Sequence, residues 1–263
     1  MRPEVTLKTD YEIRLMRESG ALLADVFAML DERVKPGITT LELDTITEHF
    51  IRHELKATPA SIGAYGYPFS TNASPNHVAC HGMPSKDTVI ASTDILNIDI
   101  TLEKNGFIVD SNKTYVLPDA SSEAQHLVTV ANQAMWKGIE QVFPGAHSGD
   151  IGFAISEFVE SLGYSVVREF CGHGIGRMMH EAPQILHFGL PKTGFIIEPG
   201  MTFTVEPVVN QGSNRVITLK DGWTVVTCDN RLSAQFEHTL AVTKEGVEIL
   251  TLRHDETPFP WRK

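Results

Sequence analysis

The chain has 263 residues, 42% of them hydrophobic, which is enough apolar material for one large domain with a sizeable core. Its 33 acidic side chains outnumber the 22 basic ones and give a formal charge of -11, which argues against broad electrostatic capture of DNA or of an anionic membrane. Three cysteines, Cys80, Cys171 and Cys228, form no C-x-x-C pair, so we expect free thiols rather than disulfides or a zinc knuckle.

The start of the chain, MRPEVTLKTDYEIRL, lacks the apolar core of a signal peptide. No later run approaches the roughly 20 apolar residues that a membrane-spanning helix needs. We therefore expect a cytoplasmic protein that does not contact a membrane.

Two helices are predicted in the first quarter of the chain. Apolar residues at helical spacing predict the first, from Thr9 to about Val34, and the residues KPG at 35–37 end it. Thr39, with Glu42 three residues later, forms a capping box that opens a second helix reaching Leu55. Residues 58–88 are rich in Gly, Pro, Ser and Asn and predict mostly loop with short strands, and a loop of this length is often functional.

Strands and helices are mixed in the rest of the chain. Strands are predicted at 94–101 and 106–117, a helix from Ser121 or Ser122 to the PG at 144–145, and another from Ser148 to Leu162. Short β-like runs follow at 165–170, 201–209, 223–227 and 234–242. This order indicates an α+β protein, and no linker divides it. We expect one domain over 1–263, with 1–8 and 255–263 as loosely attached termini.

The stretch NIDITLEKNGFIVD, residues 97–110, contains the strongest short hairpin signal, Asn105-Gly106. A two-residue turn there pairs Thr101 with Asp110 and Asp99 with Asn112, which places both aspartates on one face. As diagonal neighbours they would be about 7–8 Å apart between Cα atoms. Two carboxylates converging in an apolar sheet repel one another unless one is protonated or a cation lies between them.

Such a pair alone would more often be two solvated residues on an exposed hairpin, but further potential ligands occur later in the chain. Glu206 and Glu237 lie in β-branched or apolar runs, and His173 lies between two glycines, with His180 beyond them. Four carboxylates and one imidazole are the donor set of a site for divalent Mn, Fe, Co or Zn and not that of a structural zinc site. Bridging carboxylates favour two divalent ions over one.

These residues lie in segments that resemble the bacterial type I methionine aminopeptidases, from about residue 7 to residue 254. The matching segments are NID followed by a second aspartate eleven positions on, VVREFCGHGIGR, HEAPQ, PGMTFTVEP, KDGWTV and LSAQFEHT. The resemblance implies the pita-bread fold, a curved antiparallel sheet with outer helices and two halves related by a pseudo-twofold axis. It also implies metals at the centre of the fold.

The resemblance implies a role for each motif residue. Two divalent ions would be held by five side chains, with Asp110 and Glu237 bridging, and a hydroxide between the ions would attack the peptide. The five ligands are Asp99, Asp110, His173, Glu206 and Glu237. Glu206 would also act as the general base, and His81 and His180 would hydrogen-bond the substrate and stabilise the tetrahedral intermediate.

The methionine pocket matches the family less closely than the metal site does. Tyr67 and Trp223 match its aromatic wall, but Ser61 and Asn72 replace the usual cysteines, and Ala64 and Met179 replace a usual tyrosine and phenylalanine. Methionine is a tolerable replacement because it is flexible and apolar. An amide in an apolar pocket needs hydrogen-bond partners or costs about 1–3 kcal/mol. We therefore expect aminopeptidase chemistry with altered tolerance for the first residue (P1) or altered turnover.

The expected partners are peptide and nascent-chain N-termini, and relatives suggest a monomer. A transient ribosome contact through residues 210–228 is typical of the family, but the few basic side chains kept there, among them Arg215 and Lys220, argue against it. Two alternatives stay open at this point. One is the same dimetal chemistry on other peptides, as in X-Pro aminopeptidases or a specialised paralogue. The other is a metal-free binding protein on the same fold.

Overall fold

The computed structural model describes residues 5–259. These residues form four α-helices: α1 (Asp10–Asp31), α2 (Thr40–His49), α3 (Ser122–Ile139) and α4 (Ser148–Ser161). The strands of the first half are β1 (Thr58–Pro59), β2 (Thr71–Pro75), β3 (Val78–Cys80), β4 (Ile95–Lys104) and β5 (Phe107–Val116). Those of the second half are β6 (Ser165–Val166), β7 (Gly172–Gly174), β8 (Glu181–Ile185), β9 (Thr202–Val205), β10 (Val208–Asn210), β11 (Val216–Thr218), β12 (Val225–Thr227), β13 (Ser233–Gln235), β14 (His238–Val242) and β15 (Val247–Ile249).

The helices begin where the sequence predicts. Thr9 and Thr39 each accept a hydrogen bond from the backbone of a glutamate three residues on, and the glutamate side chain returns to the cap, which makes two complete capping boxes. Ser121 caps α3 through the backbone N–H of Ala124. The continuation of α2 is a π-helical turn, Phe50–Glu54, rather than regular α-helix.

The long hairpin β4–β5 has the predicted register. Asn105 and Gly106 both have positive φ angles, as a type I′ turn requires, and Thr101 pairs with Asp110 while Asp99 pairs with Asn112. Strand β2 lies on the other side of β4 and pairs Asn72 with Asp99. The hairpin therefore carries both aspartates on one face, and β2 adds a third polar side chain beside them.

Two hydrophobic clusters divide the molecule into two halves, each built from a pair of helices and antiparallel strands. In one, α1 packs on β4 and β5 around Phe27, Leu96 and Phe107. In the other, α3 packs on β10 and β13 around Trp136 and Phe203. All strand pairs are antiparallel. The α+β class is confirmed.

The predicted strands 201–209 and 234–242 are each broken in two. β9 ends at Val205 and β10 begins at Val208 in a different sheet, and β13 ends at Gln235 before β14 begins at His238. Pro207, which lacks an N–H group, stands in the first break. The expectation that Glu206 and Glu237 lie within strands is thus wrong, because both occupy the points where the chain passes from one sheet to another.

Several elements were not predicted. β7, β8, β11 and β15 are three to five residues long, too short to give a periodic signal, and β7 is largely glycine. The predicted strand 165–170 is reduced to Ser165–Val166.

The N-terminal segment is attached to the fold at Lys8. Lys8 is buried and its backbone N–H donates to the carbonyl of Gly200, so this part of the N-terminal segment is attached to the fold. Looseness of residues 1–4 and 260–263 stays a prediction, because they lie outside the described residues. All three cysteines are free thiols. Within residues 5–259, none of the helices has the length and apolar character needed to cross a bilayer.

Candidate metal centre and substrate cavity

One cavity of about 490 Å³ lies between the two halves, and all twelve side chains predicted for the site line it. They are Ser61, Tyr67, Asn72, His81, Asp99, Asp110, His173, Met179, His180, Glu206, Trp223 and Glu237. These residues come from strands, strand breaks and loops spread over 177 positions of the chain, from 61 to 237. Their convergence is the main structural finding about function.

The two aspartates lie side by side at the cavity floor. Asp110 accepts a hydrogen bond from Thr101 Oγ1 at 3.1 Å. Asp99 Oδ2 accepts from Asn72 Nδ2 at 3.1 Å. The hairpin register places Thr101 beside Asp110, and the pairing of β2 with β4 places Asn72 beside Asp99.

The two glutamates approach from the second half of the molecule. Glu237 Oε2 accepts from Asn112 Nδ2 at 2.8 Å, and Glu206 Oε1 accepts from Thr204 Oγ1 at 2.7 Å. The position of Glu206 is supported further by its backbone N–H, which donates to His187 Nε2 at 3.1 Å. Glu237 is 2% exposed, so its charge is removed from water almost completely.

His173 presents one nitrogen to the carboxylates. Its Nδ1 lies 3.0 Å from the carbonyl oxygen of Gly174, which can only accept, so Nδ1 carries the proton. Nε2 is then left with a lone pair, 3.5 Å from Glu206 Oε1. Burial lowers the pKa of His173 to about 3, which keeps the ring neutral. A neutral imidazole with a fixed Nδ1 hydrogen bond is the usual form of a metal-ligating histidine.

The four carboxyl groups resist ionisation together. Burial raises the pKa of Asp99 to about 6 and that of Glu206 to about 8. The pKa values of Asp110 and Glu237 lie well above their usual range, first because of burial and then because of the neighbouring carboxylates. Like charges gathered away from water favour proton binding or a bound cation.

A cation fits this arrangement. Asp99 Oδ1 and Glu237 Oε1 are buried and have no hydrogen-bond partner within residues 5–259. The donor atoms of Asp110, His173 and Glu237 all lie within 4.8 Å of one another. Unpartnered buried carboxylate oxygens are costly and are normally satisfied by a donor or an ion. The oxygen-rich donor set with one imidazole suits divalent ions.

Two further histidines, His81 and His180, line the cavity. Burial lowers the pKa of His81 to about 4, and its ring packs edge-on against Phe170. Burial also lowers the pKa of His180, whose Nδ1 lies 3.1 Å from the hydroxyl of Tyr65. Both rings are therefore neutral near pH 7 and can donate one N–H each.

The remaining predicted side chains form one wall of the cavity. Tyr67 and Trp223 pack edge to face, with 4.9 Å between their ring centroids. The Tyr67 hydroxyl donates a hydrogen bond to the carbonyl of Thr71. Ser61 Oγ is buried and has no hydrogen-bond partner in the described part of the chain. Asn72 does not stand unpaired in an apolar pocket, as its sequence position suggested, because its amide donates to Asp99.

Some residues of the site were missed. Thr101 and Asn112 hydrogen-bond Asp110 and Glu237, and both could have been found, since the predicted register places them directly across from the aspartates. Tyr65, next to His180, has a positive φ angle of 51° between Gly63 and Gly66 and gave no recognisable signal.

Known proteins resemble this chain over nearly its whole length. A family model for metallopeptidase family M24 matches residues 14–244. The methionine aminopeptidase of Escherichia coli (strain K12) is 46% identical over 253 residues, which cover 96% of each chain. The crystal structure of methionine aminopeptidase from Rickettsia prowazekii superposes with a TM-score of 0.92 at 44% identity, covering 94% of this chain and 100% of that one.

A more distant structure shares the fold. The Xaa-Pro dipeptidase from Bacillus anthracis superposes with a TM-score of 0.73 at 23% identity, over 95% of this chain and 63% of that one. At this identity the likeness concerns the fold alone. Together with the aminopeptidase structure it confirms the pita-bread fold.

Proposed function

The chain belongs to metallopeptidase family M24, and we propose that it is a methionine aminopeptidase that removes the initiator methionine from peptides and nascent proteins with a small second residue. The observation that carries the proposal is the convergence of Asp110, His173 and Glu237, whose donor atoms lie within 4.8 Å of one another, at the floor of the cavity. Such a centre beside an apolar wall suits removal of one residue from a peptide N-terminus.

We propose that five side chains hold two divalent ions, Co, Mn, Fe or Zn. They are Asp99, Asp110, His173, Glu206 and Glu237. Two carboxylate oxygens that have no hydrogen-bond partner among the described residues, and one imidazole nitrogen whose lone pair faces Glu206, support this assignment. When bound, such ions lower the pKa of water and polarise the scissile carbonyl.

The protein's own groups would supply proton transfer and orientation. Glu206, which lines the cavity beside the other carboxylates, would accept a proton from the attacking water and pass it to the leaving amine. His81 and His180, both neutral, would donate N–H bonds to the substrate and to the oxygen that becomes negative in the transition state. If the Tyr65 hydroxyl donates to His180 Nδ1, the ring proton lies on Nε2 and is available for this bond.

The P1 side chain would rest on the wall formed by Tyr67, Trp223 and Met179, with Ser61 and Asn72 beside it. The hydroxyl of Ser61, which has no hydrogen-bond partner in the described part of the chain, makes this wall more polar than a pocket for methionine requires. This added polarity favours acceptance of P1 residues other than methionine. A metal-free binding protein is disfavoured, because such a role leaves the unpartnered oxygens of Asp99 and Glu237 without a compensating ion.

The experiment is peptide hydrolysis by the metal-reconstituted enzyme over a P1 series. We expect release of methionine from Met-Ala peptides, with kcat/KM for norleucine-Ala and Leu-Ala within about tenfold of the Met-Ala value, which is less than the roughly 10–200-fold by which an apolar pocket discriminates a single methylene. Cleavage of Ala-Pro peptides in preference to Met-Ala would instead indicate the X-Pro alternative. Strict methionine preference at ordinary rates would refute the altered P1 tolerance and leave the aminopeptidase assignment intact.

A further inference from the structure

Residues 176–180 form a loop between β7 and β8 that carries Met179 and His180 to the cavity. The loop buries little of its own surface, since the side chains of Arg177 and Met178 are exposed, Met178 by 65%. Exposed loops of this kind move readily unless something outside them fixes their backbone. The contacts that fix this loop therefore also fix Met179 and His180 in the proposed active site.

The carboxylate of Glu181 contacts both the loop and the N-terminal segment. Its Oε1 accepts the backbone N–H groups of Arg177 at 2.8 Å and Met178 at 3.1 Å. Its Oε2 forms an ion pair with Lys8 Nζ, and the two side chains are only 13% and 3% exposed. One buried carboxylate thus joins two loop amides to the N-terminal segment.

Lys8 is itself tied into the fold. Its backbone N–H donates to the carbonyl of Gly200 at 2.7 Å, and its Nζ also reaches the carbonyl of Thr6 at 3.3 Å. The lysine stem packs against Gly176, where an added Cβ would come within 2.4 Å of Lys8 Cε. The Lys8 side chain therefore packs against the loop backbone at Gly176 and also neutralises the charge of Glu181.

A second contact with the N-terminal helix is weaker. Arg177 donates to Glu12 at 3.1 Å and lies over the ring of Phe107, but its side chain is 64% exposed. Exposed ion pairs contribute little because solvent screens them. The contact of Lys8 with Glu181 acts on the amides of Arg177 and Met178, whereas the two ends of the loop are held separately, by the N–H of Ile108 on the carbonyl of Gly176 and by the hydroxyl of Tyr65 on His180.

We propose that Lys8 is a positioning residue of the active site, which acts through Glu181 to fix the loop 176–180 and with it Met179 and His180. The inference rests on the proposed function for its effect on catalysis. Without Lys8 the buried carboxylate has no counter-ion and turns toward water, which releases the two loop amides. Misplacing a substrate-binding group by about 1 Å can cost about 100-fold in rate.

The test replaces Lys8 with methionine, which keeps the stem and removes the charge. Arg17→Met is the matched control, because Arg17 forms an exposed ion pair with Glu248 in the same N-terminal region and does not contact the loop. Lys8→Arg restores the charge, and Lys8→Gln provides a second variant if the methionine variant does not fold. All are compared as Mn-loaded enzymes with a Met-Ala peptide.

We expect Lys8→Met to lower kcat/KM by about 10–100-fold, mainly through a higher KM, and Lys8→Arg to recover part of it. Hydrogen exchange at the amides of Arg177 and Met178 should accelerate by about tenfold or more, while Mn affinity and the Arg17→Met variant stay within about twofold of wild type. A folded Lys8 variant with wild-type kinetics and unchanged exchange would overturn the inference. So would a fall in Mn affinity parallel to activity, which would mean general damage to the site.

The exchange measurement separates this inference from the proposed function. If the wild-type enzyme does not cleave Met-Ala peptides, the proposed function fails. Protection of the two loop amides by Lys8 is still measured directly in that case, and its absence would overturn the positioning role.

Discussion

Replacing Asn72 with leucine would remove the one donor that the second strand supplies to the metal centre while keeping the side-chain volume. Asn72 Nδ2 donates to Asp99 Oδ2 at 3.1 Å, and the other oxygen of Asp99 has no hydrogen-bond partner within residues 5–259. The bond thus orients the carboxylate and stabilises its ionised form, which is the form that binds a metal. We predict that the Asn72→Leu enzyme binds divalent metal more weakly.

The size of the effect follows from the type of bond. A hydrogen bond to a charged group contributes about 1.5–3 kcal/mol, and each 1.4 kcal/mol corresponds to about tenfold in an equilibrium constant. Loss of a group that orients a metal ligand costs about 10–100-fold in affinity in other metalloproteins. We expect a decrease of about 10–100-fold in the affinity for Mn.

The assay is competition for Mn between the protein and a fluorescent chelator. Ser61→Ala is the matched control, because Ser61 lines the same cavity and its hydroxyl bonds no residue in the described part of the chain. It should bind Mn as the wild type does. An Asn72→Leu enzyme with Mn affinity within about twofold of Ser61→Ala would refute the reasoning.

Two further predictions concern stability. Burial raises the pKa of Glu206 from 4.5 to about 8, whereas it lowers the pKa of buried histidines such as His173 from 6.5 to about 3, which are therefore neutral in both states above about pH 7. The free energy of unfolding of the metal-free protein should therefore fall as pH rises from about 7 to about 8; a Tm that rises over this range in metal-free protein, measured by calorimetry, would contradict this. Arg253 is 2% exposed and pairs with Glu256, so Arg253→Met should cost about 3–5 kcal/mol in urea unfolding by removing a buried cation together with its hydrogen bonds to Glu256 and Ser111, and a loss below about 1 kcal/mol would show that these contacts are not stabilising.

The part of the site that could be predicted from residues alone is the hairpin. A two-residue Asn-Gly turn fixes the register, and the two-residue period of a strand then fixes which side chains share a face, so Asp99 and Asp110 could be placed together. The same register places Thr101 opposite Asp110 and Asn112 opposite Asp99. These inferences hold because they depend on local geometry.

The contacts that could not be predicted join distant parts of the chain. Asn72 meets Asp99 because β2 pairs with β4, and β2 lies in a segment whose composition predicts mostly loop. Lys8 meets Glu181 across 173 positions, with no pattern in either segment to indicate it. The breaks at Glu206 and Glu237 arise where one strand passes between two sheets, and a continuous apolar run does not show such a passage.

The most direct test of the metal-dependent aminopeptidase is methionine release measured together with bound metal. Wild-type enzyme stripped of metal should release no methionine from a Met-Ala peptide and should regain activity as Mn is added. Asp110→Asn, which removes a central carboxylate, should lose metal and at least about 100-fold in kcat. Methionine release by the stripped enzyme, or wild-type activity in the Asp110→Asn enzyme, would contradict the account.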